Sequence, residues 1–264
     1  MLLLYRTGLA IAGIYCLILL ALFLAQRSLI YPAPTHPIAE PPGFEQVVFE
    51  TSDRLRLKAA WRKPRSAQPV VVFFHGNGDN WSGGALATQA LTEAGFGILL
   101  SEYRGYSGNP GSPDEQGLYR DGRAALDWLK QQGVADQDII LIGNSLGSGV
   151  ATRLASEKQY KAVILVSPYA SMVQLIGEKF PWVPVGLLLR DRYDNSSILS
   201  KVKSPVLLLH GSTDTLIPLS HAQHLERVNN QARLVTFDGV GHELAYLAEA
   251  QAEQLRWLDA ISRQ

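Results

Sequence analysis

The run Ile139-Ile140-Leu141-Ile142 leads straight into Gly143-Asn144-Ser145-Leu146-Gly147, and no other stretch restricts the fold as tightly. Consecutive aliphatic residues suit a strand covered on both faces, as in a parallel sheet, while Ser148 to Glu157 suits a helix. Ser145 then falls on the turn between them. A serine there is forced into a strained backbone conformation, and its neighbours two residues away must lack a Cβ for strand and helix to pass closely. Gly143 and Gly147 meet that demand. Such a turn lifts the Ser145 hydroxyl to the sheet edge. It also leaves the Leu146 N–H at a helix N-terminus, aimed at any anion that forms beside the serine.

Ahead of this element, Thr7 to Ala25 holds only apolar or small residues, bounded by Arg6 and Arg27. As a helix rising about 1.5 Å per residue it just spans a hydrocarbon core of roughly 30 Å. A cleaved signal peptide is the rival, but Leu24-Ala25-Gln26-Arg27-Ser28 is a poor cleavage site, so residues 1–27 read as an uncleaved membrane anchor. The α-amino group and Arg6 precede the span and only Arg27 closely follows it, which places the N-terminus in the cytoplasm and the remainder on the non-cytoplasmic side. Cys16, the single cysteine, reads as an apolar filler within the span. It leaves no intrachain disulfide and no thiolate metal site. A formal charge of zero without a basic cluster excludes a nucleic-acid footprint.

Residues 28–43, with Tyr31-Pro32-Ala33-Pro34 and Pro41-Pro42-Gly43, read as a stiff extended linker. Residues 44–264 then form one domain, within the capacity of a chain that is 47% hydrophobic. Phe44 to Glu50 and Leu55 to Trp61 alternate as an edge hairpin. Val70 to Phe74 is a central strand ending in His75-Gly76-Asn77-Gly78, with His75 expected to be structural. Gly84 to Ala94 suits a helix and Gly97 to Ser101 a strand. Glu102 to Gly111 reads as a long surface loop. Ser112, Pro113 and Glu115 predict an N-cap, first helical residue and capping-box acid for a helix that stops at Gly133. Its Asp121 reads as an ordinary helix charge. Further strands fall at Ala162 to Ser167, Val206 to His210 and Ala232 to Phe237, with helices at Pro218 to Val228 and Leu244 to Ile261. The segment 169–204 holds the apolar, proline-broken run Phe180 to Leu189, which reads either as a lid over an acyl pocket or as a helix packed on the core.

Ser145, Asp214 and His242 each fall in a loop just after a predicted strand, so a parallel sheet brings all three to one edge. A serine hydroxyl becomes a useful nucleophile when a histidine takes its proton and an acid fixes that histidine's tautomer. The competing acids Asp191, Asp194 and Asp238 do not follow a strand in this way, and His210, His221 and His224 sit on a strand or helix.

Together, His75-Gly76-Asn77-Gly78, Glu102-Tyr103-Arg104-Gly105-Tyr106-Ser107-Gly108, Gly143-Asn144-Ser145-Leu146-Gly147, His210-Gly211-Ser212-Thr213-Asp214 and Gly241-His242 resemble the small membrane-anchored serine hydrolases of the α/β-hydrolase superfamily. They are similar in particular to its bud-emergence-type group, whose wider relatives include protein depalmitoylases. The resemblance implies a mostly parallel sheet with helices on both faces, and an oxyanion hole formed by the backbone N–H groups of Asn77 and Leu146. It implies cleavage of a carboxylic ester or thioester by Ser145, His242 and Asp214, without a metal or organic cofactor. An aminopeptidase-like amidase and a non-catalytic binding protein on the same fold stay open as alternatives.

Overall fold

The computed structural model describes residues 1–263. Helix α1 (Leu2–Ile30) comes first, with a mean hydropathy of 2.6 over its most apolar 18-residue window. It is long and apolar enough to cross a membrane. It runs through Ile30, into the stretch expected to be linker, because the first proline stands only at position 32.

An eight-stranded sheet follows, comprising β1 (Glu45–Glu50), β2 (Arg56–Arg62), β3 (Val70–Phe74), β4 (Gly97–Ser101), β5 (Ile139–Asn144), β6 (Ala162–Val166), β7 (Val206–Gly211) and β8 (Ala232–Phe237). Its spatial order is β1-β2-β4-β3-β5-β6-β7-β8, with β1 and β2 antiparallel and every pairing from β4 to β8 parallel. Parallel neighbours require crossovers, so both faces of the central strands are covered. The pleat sends Val70, Val72, Phe74, Leu141 and Leu165 into one core layer, and Val71, Phe73, Ile140, Ile142 and Ile164 into the other. The aliphatic runs carry no polar alternation for this reason.

The remaining helices are α2 (Trp81–Ala87), α3 (Gln89–Glu93), α4 (Glu115–Gln131), α5 (Leu146–Ala155), α6 (Met172–Lys179), α7 (Val185–Leu188), α8 (Asn195–Leu199), α9 (Leu219–Val228) and α10 (Ala248–Ser262). The single helix expected over 84–94 is two short ones that meet at Thr88. Helix α4 takes Asp114 as its N-cap, whose Oδ1 accepts from Gly117 N–H at 2.6 Å, so Ser112 and Pro113 stay outside. Glu115 therefore closes no capping box. Its carboxylate accepts from Arg192 N–H at 2.6 Å and Tyr119 O–H at 2.9 Å instead. The expected closing helix is divided by the extended residue Leu247 into a short 3₁₀ turn, His242–Tyr246, and α10. Leu244 and Leu258 are buried as expected, whereas Leu247 is exposed.

Candidate active site

Backbone packing fixes the position of Ser145. It has φ 50° and ψ −114°, outside the regions that L-residues favour, and its N–H donates to Val166 O at 2.9 Å. A Cβ on Gly143 would run into the Gly147 backbone, and one on Gly147 would run into the carbonyls of Phe74 and His75. Both glycines are therefore required by close approach.

The Ser145 Oγ lies 3.0 Å from His242 Nε2, and His242 Nδ1 lies 2.7 Å from Asp214 Oδ2. A carboxylate only accepts, so Nδ1 carries the proton and Nε2 is free to accept from the serine hydroxyl. The other carboxylate oxygen accepts from the N–H groups of Leu216, at 2.9 Å, and Ile217, at 2.8 Å. Burial pushes the Asp214 carboxyl up, but the hydrogen bonds from His242 and Ile217 outweigh it and hold the group below the ordinary carboxylate range. Asp214 is thus an oriented anion. Behind it, the His210 Nε2–H donates to Ile217 O at 2.8 Å, and burial holds that imidazole below its usual pKa. Gly211 completes the assembly, since a Cβ there would strike the Val240 carbonyl in the loop that carries His242. In the sequence Gly211 stands within the His210–Asp214 motif, but its need for close approach to the His242 loop is visible only in the structure.

The residues set aside as rivals have other partners. Asp191 accepts from Arg27 Nε at 3.3 Å and Glu115 N–H at 3.2 Å, Asp194 caps α8, and Asp238 is exposed. His221 joins Ala170 to Glu178, and His224 meets the Ser196 hydroxyl.

His75 is fully buried, and its Nδ1–H donates to Gly76 O at 2.7 Å. Its Nε2 lies 2.9 Å from Glu102 Oε1, without the alignment of a linear hydrogen bond. Burial disfavours the imidazolium, yet the Glu102 charge outweighs it and raises the His75 pKa. Glu102 also accepts from Trp81 N–H at 2.9 Å, and the Tyr103 hydroxyl donates to His75 O at 2.9 Å.

The segment Glu102 to Gly111 is accordingly not the surface loop expected. Glu102, Tyr103, Arg104, Tyr106, Ser107 and Asn109 are all buried. Glycines and a charged pair in the sequence suggested exposure, but Arg104 is neutralised by Asp121 at 2.7 Å and Asp53 at 2.7 Å. Burial pushes Asp121 up to about 6 against the pull of Arg104. Asp121 is therefore a partner of the buried loop and more than a helix-dipole charge.

A cavity of about 330 Å³ opens at Ser145, near the lower end of the roughly 300–1,000 Å³ typical of ligand sites. Asn77 and Leu146 line it beside the serine. The insertion between β6 and β7 forms its roof through Met172, Leu175, Ile176, Phe180 and Leu189. The opposite wall is α1, through Leu22, Phe23, Gln26, Leu29 and Ile30. Lys179 is the one charged residue on the lining. Among the described residues, no group of three or more His, Cys, Asp or Glu is placed to hold a metal ion.

Residues 69–195 match the model of the alpha/beta hydrolase fold family. The chain is 37% identical over 248 residues to the uncharacterized protein Rv2307c of Mycobacterium tuberculosis, covering 90% of this chain and 86% of that one. The chain belongs to the alpha/beta hydrolase superfamily. Among solved structures, the esterase Pf2001 of Pyrococcus furiosus superposes with a TM-score of 0.70 at 20% identity, covering 88% of this chain and 97% of that one. An acetyl xylan esterase from Paenibacillus sp. R4 gives 0.69 at 19% identity, covering 84% and 86%. These structures share the fold of this hydrolase-family chain.

Proposed function

We propose that the protein is a serine hydrolase that cleaves carboxylic esters or thioesters through an acyl-enzyme. The observation that carries this reading is the Ser145–His242–Asp214 hydrogen-bond chain at the mouth of an apolar cavity. His242 Nε2 takes the proton of Ser145 as Oγ attacks the carbonyl carbon, and Asp214 steadies the imidazolium. The backbone N–H groups of Asn77 and Leu146 hold the oxyanion. Leu146 is the first residue of α5, so its N–H has no partner within the helix. The tetrahedral intermediate collapses and His242 protonates the departing alcohol or thiol. Water, deprotonated by His242, then attacks the acyl–Ser145 ester and releases the acid.

The cavity lining also favours an ester over an amino-acid amide. It contains no Asp or Glu, so a free ammonium group would meet no anion there. The two solved neighbours described as esterases support the same chemistry by analogy.

We assign α1 as a retained membrane anchor, with residues 44–264 as the catalytic domain and 169–204 as its lid. This arrangement supports a place in the membrane-anchored, bud-emergence-type group. Arg27 is paired with Asp191 at 3.3 Å and Asp114 at 3.5 Å, which leaves Arg6 and the α-amino group as the dominant charges flanking the span. The positive charge ahead of the span supports a catalytic domain on the non-cytoplasmic side.

The test is hydrolysis of p-nitrophenyl esters from acetyl to palmitoyl by the full chain in detergent, with Ser145→Ala alongside. Serine-dependent turnover is expected. Folded protein without turnover at any chain length would direct attention to amides or a binding role.

A further inference from the structure

The anchor is built into the candidate active site. Its last turns supply one wall of the cavity, and they are fastened to the lid by directed contacts. The Gln26 Oε1 accepts from Arg190 N–H at 2.8 Å, and the Arg190 guanidinium sits 4.3 Å from the Phe23 ring centroid. Beyond the helix, the Tyr31 and Tyr193 hydroxyls meet at 2.9 Å. Asn77, beside the serine, donates from Nδ2 to Ile30 O at 3.4 Å.

The contact farthest along α1 sets a depth. The Tyr15 hydroxyl donates to Trp182 O at 2.8 Å, and the two rings lie 6.5 Å apart. If everything level with Trp182 lay in water, only the helix before Tyr15 would remain for the bilayer. At about 1.5 Å per residue that is roughly 20 Å, short of a hydrocarbon core of about 30 Å. It would also include Arg6 and the charged N-terminus. A helix that spans must therefore carry the tip of the lid into the membrane with it. The composition of the tip agrees, since Phe180, Trp182 and Leu187 are 48%, 50% and 87% exposed. Three large apolar side chains on one short segment are costly in water and favourable in lipid.

We propose that the lid tip is immersed in the leaflet and that the substrate's acyl chain slides sideways from the bilayer, along α1, into the cavity that ends at Ser145. The substrate is a membrane lipid bearing one long acyl ester. A cavity near the lower end of the ligand-site range suits one chain, and Leu22, Phe23, Leu29 and Ile30 of α1 give it an apolar wall on the side of the span. This inference rests on the serine-hydrolase reading above.

The test uses the full chain in phosphatidylcholine vesicles. Leu29→Trp thickens the α1 wall of the cavity, whereas Leu20→Trp changes a lipid-facing position of the same helix outside the lining. The probes are the acetyl and palmitoyl p-nitrophenyl esters, a palmitoyl glycerol monoester and an S-palmitoylated peptide. Leu29→Trp is expected to lower the palmitoyl-to-acetyl ratio of kcat/KM about tenfold or more, and Leu20→Trp to leave it unchanged. A second readout is independent of turnover. In a Cys16→Ser background, a fluorophore on Leu187→Cys is expected to be quenched by nitroxide lipids, and one on Arg256→Cys by aqueous nickel chelate.

Serine-dependent acetyl turnover with an unchanged chain-length ratio, or a Leu187→Cys probe quenched from water, would overturn lateral entry while leaving the hydrolase reading in place. Loss of α1 from the mature protein, read from its intact mass, would overturn it too. Cleavage of the peptide but not of the glycerol ester would overturn the lipid source. Absence of serine-dependent turnover on every ester would remove the ester-hydrolase reading itself.

Discussion

Around Ser145 the backbone is packed against itself, whereas the lid across the cavity leaves open space at its own glycines. A Cβ on Gly143, Gly147 or Gly211 would collide with main-chain atoms, but one on Gly177 or Gly186 would meet nothing within 4 Å. The candidate nucleophile, base and acid hang from strand ends in a layered core, while the facing wall is made of short helices and α1. Chemistry demands sub-ångström placement, and the proposed mechanism gives it to the rigid sheet edge. On the proposed reading, substrate admission tolerates looser packing and falls to elements outside the sheet.

The contrast breaks most visibly if catalysis survives damage at the sheet edge. Ser145→Ala is expected to lower turnover on the order of 10⁶-fold if the three residues act as a unit, measured on p-nitrophenyl butyrate. Asp214→Asn should cost about 10⁴-fold, because an asparagine amide favours the wrong imidazole tautomer. Near-normal turnover in either purified variant would remove that residue from the mechanism.

Smaller effects sharpen the comparison between the two regions. Gly147→Ala is expected to lose about 1–3 kcal/mol in urea unfolding by overpacking against Phe74 and His75. Stability should also depend on pH beneath the Asn77 loop. A histidine whose folded pKa exceeds its unfolded value of about 6.5 contributes stability that is complete below that pH and lost as pH rises through the folded value. The melting temperature of Glu102→Gln should thus fall farthest below that of the parent at about pH 6, with the gap narrowing toward alkaline pH. A gap that widens with pH would reverse the assigned charge pair. Least in size, Gly177→Ala in the lid helix α6 should stabilise by about 0.5–1 kcal/mol, since the helix gains a better former at no steric cost.

How much of this was legible in the sequence divides along the same line. The parallel strands were legible because residues such as Val70 to Phe74 and Ile139 to Ile142 must be covered on both faces. The loop positions of Ser145, Asp214 and His242 followed from those strands. The burial of Glu102 to Asn109 was not legible, because its charges are cancelled by Asp53, Asp121 and His75 from distant parts of the chain. No local pattern reports such pairing. The N-cap of α4 falls at Asp114, two residues past Ser112, because both residue types can cap and the Asp114 carboxylate is the one that accepts from Gly117 N–H. Helix α1 was legible as an apolar span but not as a cavity wall, since its contacts with Trp182, Arg190 and Asp191 join residues more than 150 positions apart.

The most direct test of the central claim is to treat the full chain with a fluorophosphonate and locate the adduct by peptide mass spectrometry. The account predicts one adduct, on Ser145, whose formation is slowed by His242→Ala and blocked by a long-chain ester. A folded protein that forms no adduct, or that is fully labelled on Ser145 while still turning over esters at its original rate, would contradict it.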